Sequence, residues 1–256
     1  MSQNTVRMAD MLKNIKVIEY DSIGSTNAEA KRYAISCEDF EPVLFAARAQ
    51  SAGRGRLGRS FLSREGKGIY MSLLYFTDKA LCDAISVTTA AAAFTAQAIE
   101  TAIGAEMKIK WVNDIYNEHG KVAGILAETV TASGKNAIVV GIGINTGASD
   151  FPKELQGIAS SIGEIDEVQR QAIIESIVNS LLWHAKDPTN TEYMTEYRKR
   201  FMLTGAVVEL LSMGERVGVG KVLGVSDDGG LIFLGDGERE PRIIRTGEVS
   251  VRKIQA

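Results

Sequence analysis

Histidine and cysteine are scarce in this chain of 256 residues, with two of each. Two histidines cannot build a multi-histidine metal centre. His119, in Asn117-Glu118-His119-Gly120, reads as part of an exposed turn, and His184 follows Ile177 and Leu181 at helical spacing, which reads as core. A Ser-His-Asp triad would have to use one of these two, and neither setting suits it. Cys37 and Cys82 stand alone, so neither a disulfide framework nor a thiolate zinc site is available. No apolar run exceeds five residues (Val43–Ala47, Ala90–Phe94), far short of the ~20 that a membrane helix needs. The opening Met1–Leu12 has no apolar stretch of the kind a secretory signal carries. These absences point to a soluble protein of a reducing compartment, expected in the cytoplasm and without a membrane partner. Its chemistry has to rest on Lys, Arg, carboxylates and backbone groups.

Charge is present but unevenly placed. The formal total is −3, yet Arg48 to Lys67 holds six cations (Arg48, Arg54, Arg56, Arg59, Arg64, Lys67) and one carboxylate, Glu65. That segment carries +5, which leaves −8 on the rest of the chain. A compact basic segment in an acidic body suggests a local anion site rather than a nucleic-acid-coating face.

Periodicity gives the element plan. Lys16–Tyr20 reads as a short strand, and Asp21–Ala28 as a turn running into a helix that ends near Ser36. Thr26 with Glu29 three residues on fits a capping box. Val43–Ala49 and Gly68–Phe76 read as strands on either side of the basic glycine stretch. Asp83 to Ile103 reads as a helix, because apolar and small residues step by four and three from Ile85 to Ile103. Met107–Trp111 is a strand, Asp114–Tyr116 with Val122–Val130 a hairpin, and Ile138–Ile144 a buried strand. Val168–Ala185 and Thr189–Leu203 read as amphipathic helices, with Pro188 near the start of the second. From Gly205 on, closely spaced strands and 10 of the 25 glycines predict a small β-barrel of SH3-like size. The expected fold class is α+β, divided into residues 1–205 and 206–256.

The stretch Gln50-Ser51-Ala52-Gly53-Arg54-Gly55-Arg56-Leu57-Gly58-Arg59 contains a literal G-x-G-x-x-G. A dinucleotide fingerprint needs a helix opening at those glycines. Here the loop continues through Ser60–Lys67 into a strand, and three guanidinium groups crowd the turn. Dinucleotide binding is therefore rejected, and no Walker A pattern occurs. Glycine permits close backbone approach, and arginine supplies bidentate donors for phosphate or carboxylate. From composition alone the stretch is also compatible with a solvated or RNA-binding loop.

Gln50–Arg59 resembles the G-R-G-R-x-G-R loop of biotin–protein ligases, also called biotin–[acetyl-CoA-carboxylase] ligases. Four further segments agree in order: Ser25-Thr26-Asn27, Lys110-Trp111-Val112-Asn113-Asp114, Lys121-Val122-Ala123-Gly124-Ile125-Leu126, and Gly141-Ile142-Gly143-Ile144-Asn145. With the C-terminal strands, the likeness runs over essentially the whole chain. It departs from the family pattern at Val112, where Pro is usual, and at Phe61, where Trp is usual. About 20 residues precede the first motif, which fits the single-function form without an N-terminal DNA-binding domain.

The resemblance implies a class II synthetase-like catalytic domain, a mixed sheet packed with helices, followed by an SH3-like barrel. It implies that biotin and ATP yield biotinyl-5′-AMP, whose acyl group passes to a lysine of the biotin carboxyl carrier protein. Lys121, Arg56 and Asp114 are the implied catalytic residues. Biotin falls to Ser25, Thr26, Asn27, Gln50, Gly53, Arg54, Gly55, Arg56, Lys121, Gly124 and Ile125. The nucleotide falls to Arg54, Arg56, Arg59, Phe61, Trp111, Asn113 and Asn145, with Mg²⁺ at Asp114. No DNA partner is expected, and a homodimer through an exposed strand edge stays open. A lipoate–protein ligase is the nearest rival. A nucleic-acid-binding module is the rival of a different class, and the −8 remainder argues against it.

Overall fold

Near-continuous burial along the central strands places helices on both faces of one sheet. The computed structural model describes residues 12, 15–77, 84–132, 135–148, 150–212, 214–245 and 249–253. Strand β1 (Lys16–Ile23) and β2 (Val43–Gln50) run parallel, joined by helix α1 (Thr26–Ser36). β3 (Gly68–Thr77), β4 (Lys108–Lys110), β5 (Asp114–Asn117), β6 (Gly120–Ala132) and β7 (Lys135–Asn145) complete a seven-stranded sheet. Its order is β1-β2-β3-β7-β6-β5-β4, with every pair after β1·β2 antiparallel. The sheet is therefore mixed, and the α+β reading holds.

Each face buries a different apolar set. Val43, Phe45, Leu74, Ala137 and Val139 pack under Ala30 and Ala34 of α1. The opposite face, with Leu44, Leu73, Ile125, Val140 and Ile142, belongs to the large cluster under the remaining helices. These are α2 (Ala84–Ile103), α3 (Glu167–Lys186) and α4 (Tyr193–Arg200). The alanines at 90–93, 96 and 98 of α2 are buried, and side chains this small let α3 approach closely. Gly104, at φ +72°, ends α2 in a left-handed turn with its N–H on Glu100 O.

Three local readings are corrected. Ser25, not Thr26, is the N-cap of α1: its Oγ accepts from Ala28 N at 3.5 Å, while Glu29 turns to Arg32 and Tyr20. Residues 21–23 continue β1 rather than turning, because their pairing with β2 extends to Gln50. The last helix is shorter than Thr189–Leu203. Asp187 Oδ1 accepts from Thr189 N and Oγ1, and Asn190 Oδ1 accepts from Glu192 N, so polar turns hold 187–192 out of the helix. α3 opens with a capping box of Asp166 and Gln169. His184 is buried, as its spacing predicts, edge-on to Phe94 and Tyr193.

The C-terminal strands β8 (Val207–Ser212), β9 (Glu215–Val225), β10 (Leu231–Gly235), β11 (Arg242–Ile244) and β12 (Val249–Lys253) form an antiparallel sheet of order β11-β10-β9-β8-β12. Val222, Leu231 and Phe233 of this sheet join the large cluster, so the two sheets share one apolar core. No helix among the described residues is long and apolar enough to cross a membrane.

Candidate active site

The basic glycine stretch is a closed hairpin, not an open loop. Gln50 N donates to Ser63 O, Phe61 N to Gly53 O and Gly55 N to Arg59 O, at 3.0, 2.9 and 2.7 Å. A 3-10 turn, Arg56–Gly58, forms the tip, where Leu57 (φ 56°) and Gly58 (φ 72°) are both left-handed. Gly53 allows the closure, since a Cβ there would lie 2.4 Å from Phe61 O.

This hairpin folds over a floor built from glycines. Gly124 of β6 and Gly143 of β7 are register partners. A Cβ on Gly143 would meet the Phe61 ring at 2.5 Å, and one on Gly141 would meet Asn27 Oδ1 at 1.9 Å. The two glycines on alternate positions of β7 thus let Phe61 and Asn27 lie on the sheet. Between hairpin, α1 N-terminus and floor lies a cavity of about 150 Å³.

The cavity wall gathers most of the residues expected from sequence. Ser25, Thr26, Asn27, Gln50, Arg54, Gly55, Arg56, Arg59, Phe61, Trp111, Asn113, Asp114, Lys121, Gly124 and Ile125 all line it. Gly53 and Asn145 do not. Gly53 lies in one arm of the hairpin, packed against Phe61 O and Ser63 Oγ, and Asn145 is buried with its Nδ2 donating to Ser160 O at 2.9 Å. Lys110, Met71, Leu126, Gly141, Ile142, Gly143 and Val251 also line the cavity without having been singled out as contacts. Lys110 and the Gly141–Gly143 pair stand inside motifs quoted above. Met71 and Val251 carry no local signal, because only the sheet pairing and the docking of β12 bring them in.

Two groups of side chains divide the wall. The first is polar and uncharged. Gln50 Oε1 accepts from Thr26 N (2.8 Å) and Thr26 Oγ1 (3.1 Å), while Gln50 Nε2 donates to Ser63 Oγ (2.9 Å). Ser72 Oγ, fully buried behind the wall, lies 2.8 Å from Thr26 Oγ1 and 2.6 Å from Asn27 Oδ1. The second group is charged: Arg54, Arg56, Arg59, Lys110 and Lys121 face a single carboxylate, Asp114, among the described lining residues. Lys121 Nζ donates to Asp114 Oδ1 at 2.6 Å, and Arg56 donates to Asn113 Oδ1 at 2.9 Å. Burial pulls the Arg56 and Lys110 pKa values below their usual levels, with Asp114 opposing and neighbouring cations assisting. Burying cations is what a site prepared for an incoming anion costs.

A metal held by protein groups alone fits this donor set poorly. No cluster of three His, Cys, Asp or Glu suited to a metal occurs among the described residues, and Asp114 is already engaged by Lys121. Trp111 forms the far wall, with its Nε1 donating to Gly229 O of the C-terminal sheet at 2.9 Å.

Fold and site define an α+β domain with a cavity whose uncharged polar side chains stand beside a concentrated cationic patch. A sequence model of the Biotin/lipoate A/B protein ligase family matches residues 21–145. The biotin–[acetyl-CoA-carboxylase] ligase of Paracoccus denitrificans is 31% identical over 238 residues, covering 88% of this chain and 96% of that protein. The chain belongs to this biotin/lipoate ligase family. The bifunctional ligase/repressor BirA of Bacillus spizizenii is 37% identical over 167 residues, covering 63% of this chain and 51% of BirA. The chain thus spans about half the length of that relative. Among solved structures, the biotin protein ligase of Aquifex aeolicus in complex with biotin and ATP superposes with a TM-score of 0.77 at 26% identity. It covers 93% of this chain and 99% of that one.

Proposed function

We propose that this protein is an ATP-dependent biotin–[acetyl-CoA-carboxylase] ligase. One observation carries the reading: five cations and one carboxylate surround a cavity whose remaining wall joins uncharged hydrogen-bonding side chains to apolar ones such as Met71 and Ile142. Joining a carboxylate to the α-phosphate of ATP brings two anions together. Fixed positive charge is what lowers that barrier, and no protein nucleophile is needed. In the first step a biotin carboxylate oxygen bonds to the α-phosphorus, the bond to the β-phosphate oxygen breaks, and pyrophosphate leaves. In the second, a lysine amine of the biotin carboxyl carrier protein attacks the acyl carbon of biotinyl-5′-AMP and AMP departs.

Lys121 and Arg56 are assigned to the developing phosphoryl charge, with Arg54 and Arg59 on the phosphates. Phe61 and Trp111 enclose the nucleotide, and Asn113 keeps Arg56 in place. Ser25, Thr26, Asn27 and Gln50 take the polar head of biotin. Asp114 orients Lys121 and is placed to receive the ammonium of the incoming lysine. Magnesium would be held by the nucleotide phosphates with Asp114 as the one protein carboxylate, since Mg²⁺ takes one or two carboxylates together with phosphates rather than an all-protein cage. The proposal keeps residues 1–205 as the catalytic part and curls 206–256 into an SH3-like barrel. It also keeps the cytoplasm as the compartment.

Biotin-dependent ATP–pyrophosphate exchange tests the reading, repeated with lipoate as the rival acid. The hydrogen-bonding side chains of Ser25, Thr26, Asn27 and Gln50 in the wall favour a polar head group, which the lipoate dithiolane lacks. Exchange with biotin alone is expected. Exchange with lipoate alone would make the chain a lipoate ligase, and nucleic-acid binding without exchange would remove the enzyme reading.

A further inference from the structure

Asn27 is 4% exposed and sits against Gly141 in the cavity floor. A buried amide has two orientations of nearly equal shape, and only its partners choose between them. Asn27 Nδ2 donates to Leu126 O at 3.2 Å and to Glu128 Oε2 at 2.9 Å. Glu128 Oε1 in turn accepts from Lys31 Nζ at 2.6 Å. Lys31 and Glu128 lie outside the cavity wall, with side chains 26% exposed each.

We infer that Glu128, held by Lys31, is a positioning residue that fixes the Asn27 amide in the cavity wall with its carbonyl on Ser72. An ionised carboxylate accepts only, so the flipped amide would set Asn27 Oδ1 against both Glu128 and Leu126 O. The consequence runs further than one side chain. Ser72 Oγ touches both Asn27 Oδ1 and Thr26 Oγ1, and Thr26 donates to Gln50 Oε1, whose own Nε2 is tied to Ser63. Both amides are thereby held in one orientation, each nitrogen tied to an acceptor and each carbonyl engaged by Ser72 or by Thr26. The uncharged wall that Thr26, Asn27 and Gln50 form is thus fixed in one hydrogen-bonding pattern before a ligand enters. Lys31 is one turn into α1 and Glu128 is on β6, so this ion pair also clamps the helix that supplies Ser25, Thr26 and Asn27 to the sheet beneath them. An ordinary half-exposed ion pair contributes little to stability, and its effect here is on orientation.

The assignment rests on biotin being the acid substrate, and two readouts on the full chain separate the ideas. Side-chain amide NMR follows hydrogen exchange of the Asn27 Nδ2 protons, which requires no ligand. Glu128→Ala is expected to speed that exchange by about tenfold or more, Lys31→Ala by less, and Glu128→Gln to restore part of the protection. Calorimetry then follows biotin and ATP separately. Glu128→Ala is expected to weaken biotin about tenfold while ATP affinity stays within twofold of wild type. Should Glu128→Ala not fold, Glu128→Gln and Lys31→Ala carry both readouts. Unchanged Asn27 exchange in these variants, or equal weakening of biotin and ATP, overturns the positioning role. If the wild type binds no biotin, the substrate reading fails, and the amide exchange alone decides what Glu128 does.

Discussion

Lys121 Nζ lies 2.6 Å from Asp114 Oδ1, across the β5–β6 hairpin. The space for that ammonium is left by Gly124, where a Cβ would come within 3.2 Å of Nζ. A bulge between Ile115 and Tyr116 shifts the register so that Tyr116 faces Lys121. Strand geometry, an absent side chain and a carboxylate therefore aim one cation into the cavity.

Lys121→Ala should accordingly lower biotin-dependent pyrophosphate exchange by about a hundredfold or more, the scale of one lost electrostatic group at a reacting centre. The fold should survive, because a partly exposed ion pair is worth about 1 kcal/mol or less. Near-normal exchange in a variant with an unchanged melting temperature would take Lys121 out of the mechanism.

The glycine floor makes a second expectation. Gly141→Ala drives a methyl into the Asn27 carbonyl, and Gly143→Ala drives one into the Phe61 ring. Overpacking of this kind costs about 1–3 kcal/mol when neighbours must move. Gly141→Ala should chiefly weaken biotin, and Gly143→Ala chiefly ATP, by calorimetry. Loss of both ligands in equal measure from either variant would show that the floor does not divide in this way.

Most of this site was legible in sequence because its residues sit in short contiguous motifs. Fifteen of the seventeen expected contacts line the cavity. Gly53 and Asn145 belong to those motifs yet face elsewhere, since a motif does not say which way each member points. Met71 and the buried Ser72 are neighbours in an apolar strand, where local pattern reads only as core, and Val251 is one apolar residue in a short mixed strand. The strands were found by period to within three residues at each end. The parallel β1–β2 pairing and the order β3-β7-β6 were out of reach, because they depend on partners far along the chain.

Trp111 links cavity and C-terminal sheet through its bond to Gly229 O, and Arg198 adds bonds to Val225 O and Asp227. Trp111→Phe keeps the aromatic wall but leaves a carbonyl without its donor, at a cost of about 1–3 kcal/mol. The urea midpoint should fall, and amides of β9 and β10 should exchange faster than those of β3 and β7. Uniform exchange across both sheets would mean that this indole does not secure the C-terminal strands.

His184 gives the chain a pH dependence of defined sign. Burial holds its pKa below the ordinary 6.5, against the weaker opposing pull of Asp187. Neither ring nitrogen finds a hydrogen-bond partner among the described residues, and the ring lies edge-on to Phe94 and Tyr193. The unfolded chain therefore takes up this proton at higher pH than the folded one. The stability that a neutral His184 contributes is complete above about pH 6.5 and drains away as pH falls from there towards the depressed folded value. His184→Phe removes the titration while keeping an aromatic ring in the cluster. Urea midpoints measured from pH 7.5 down to 5 should fall more steeply for the wild type than for the variant. Parallel curves would assign the acid sensitivity to other groups and leave His184 a packing residue alone.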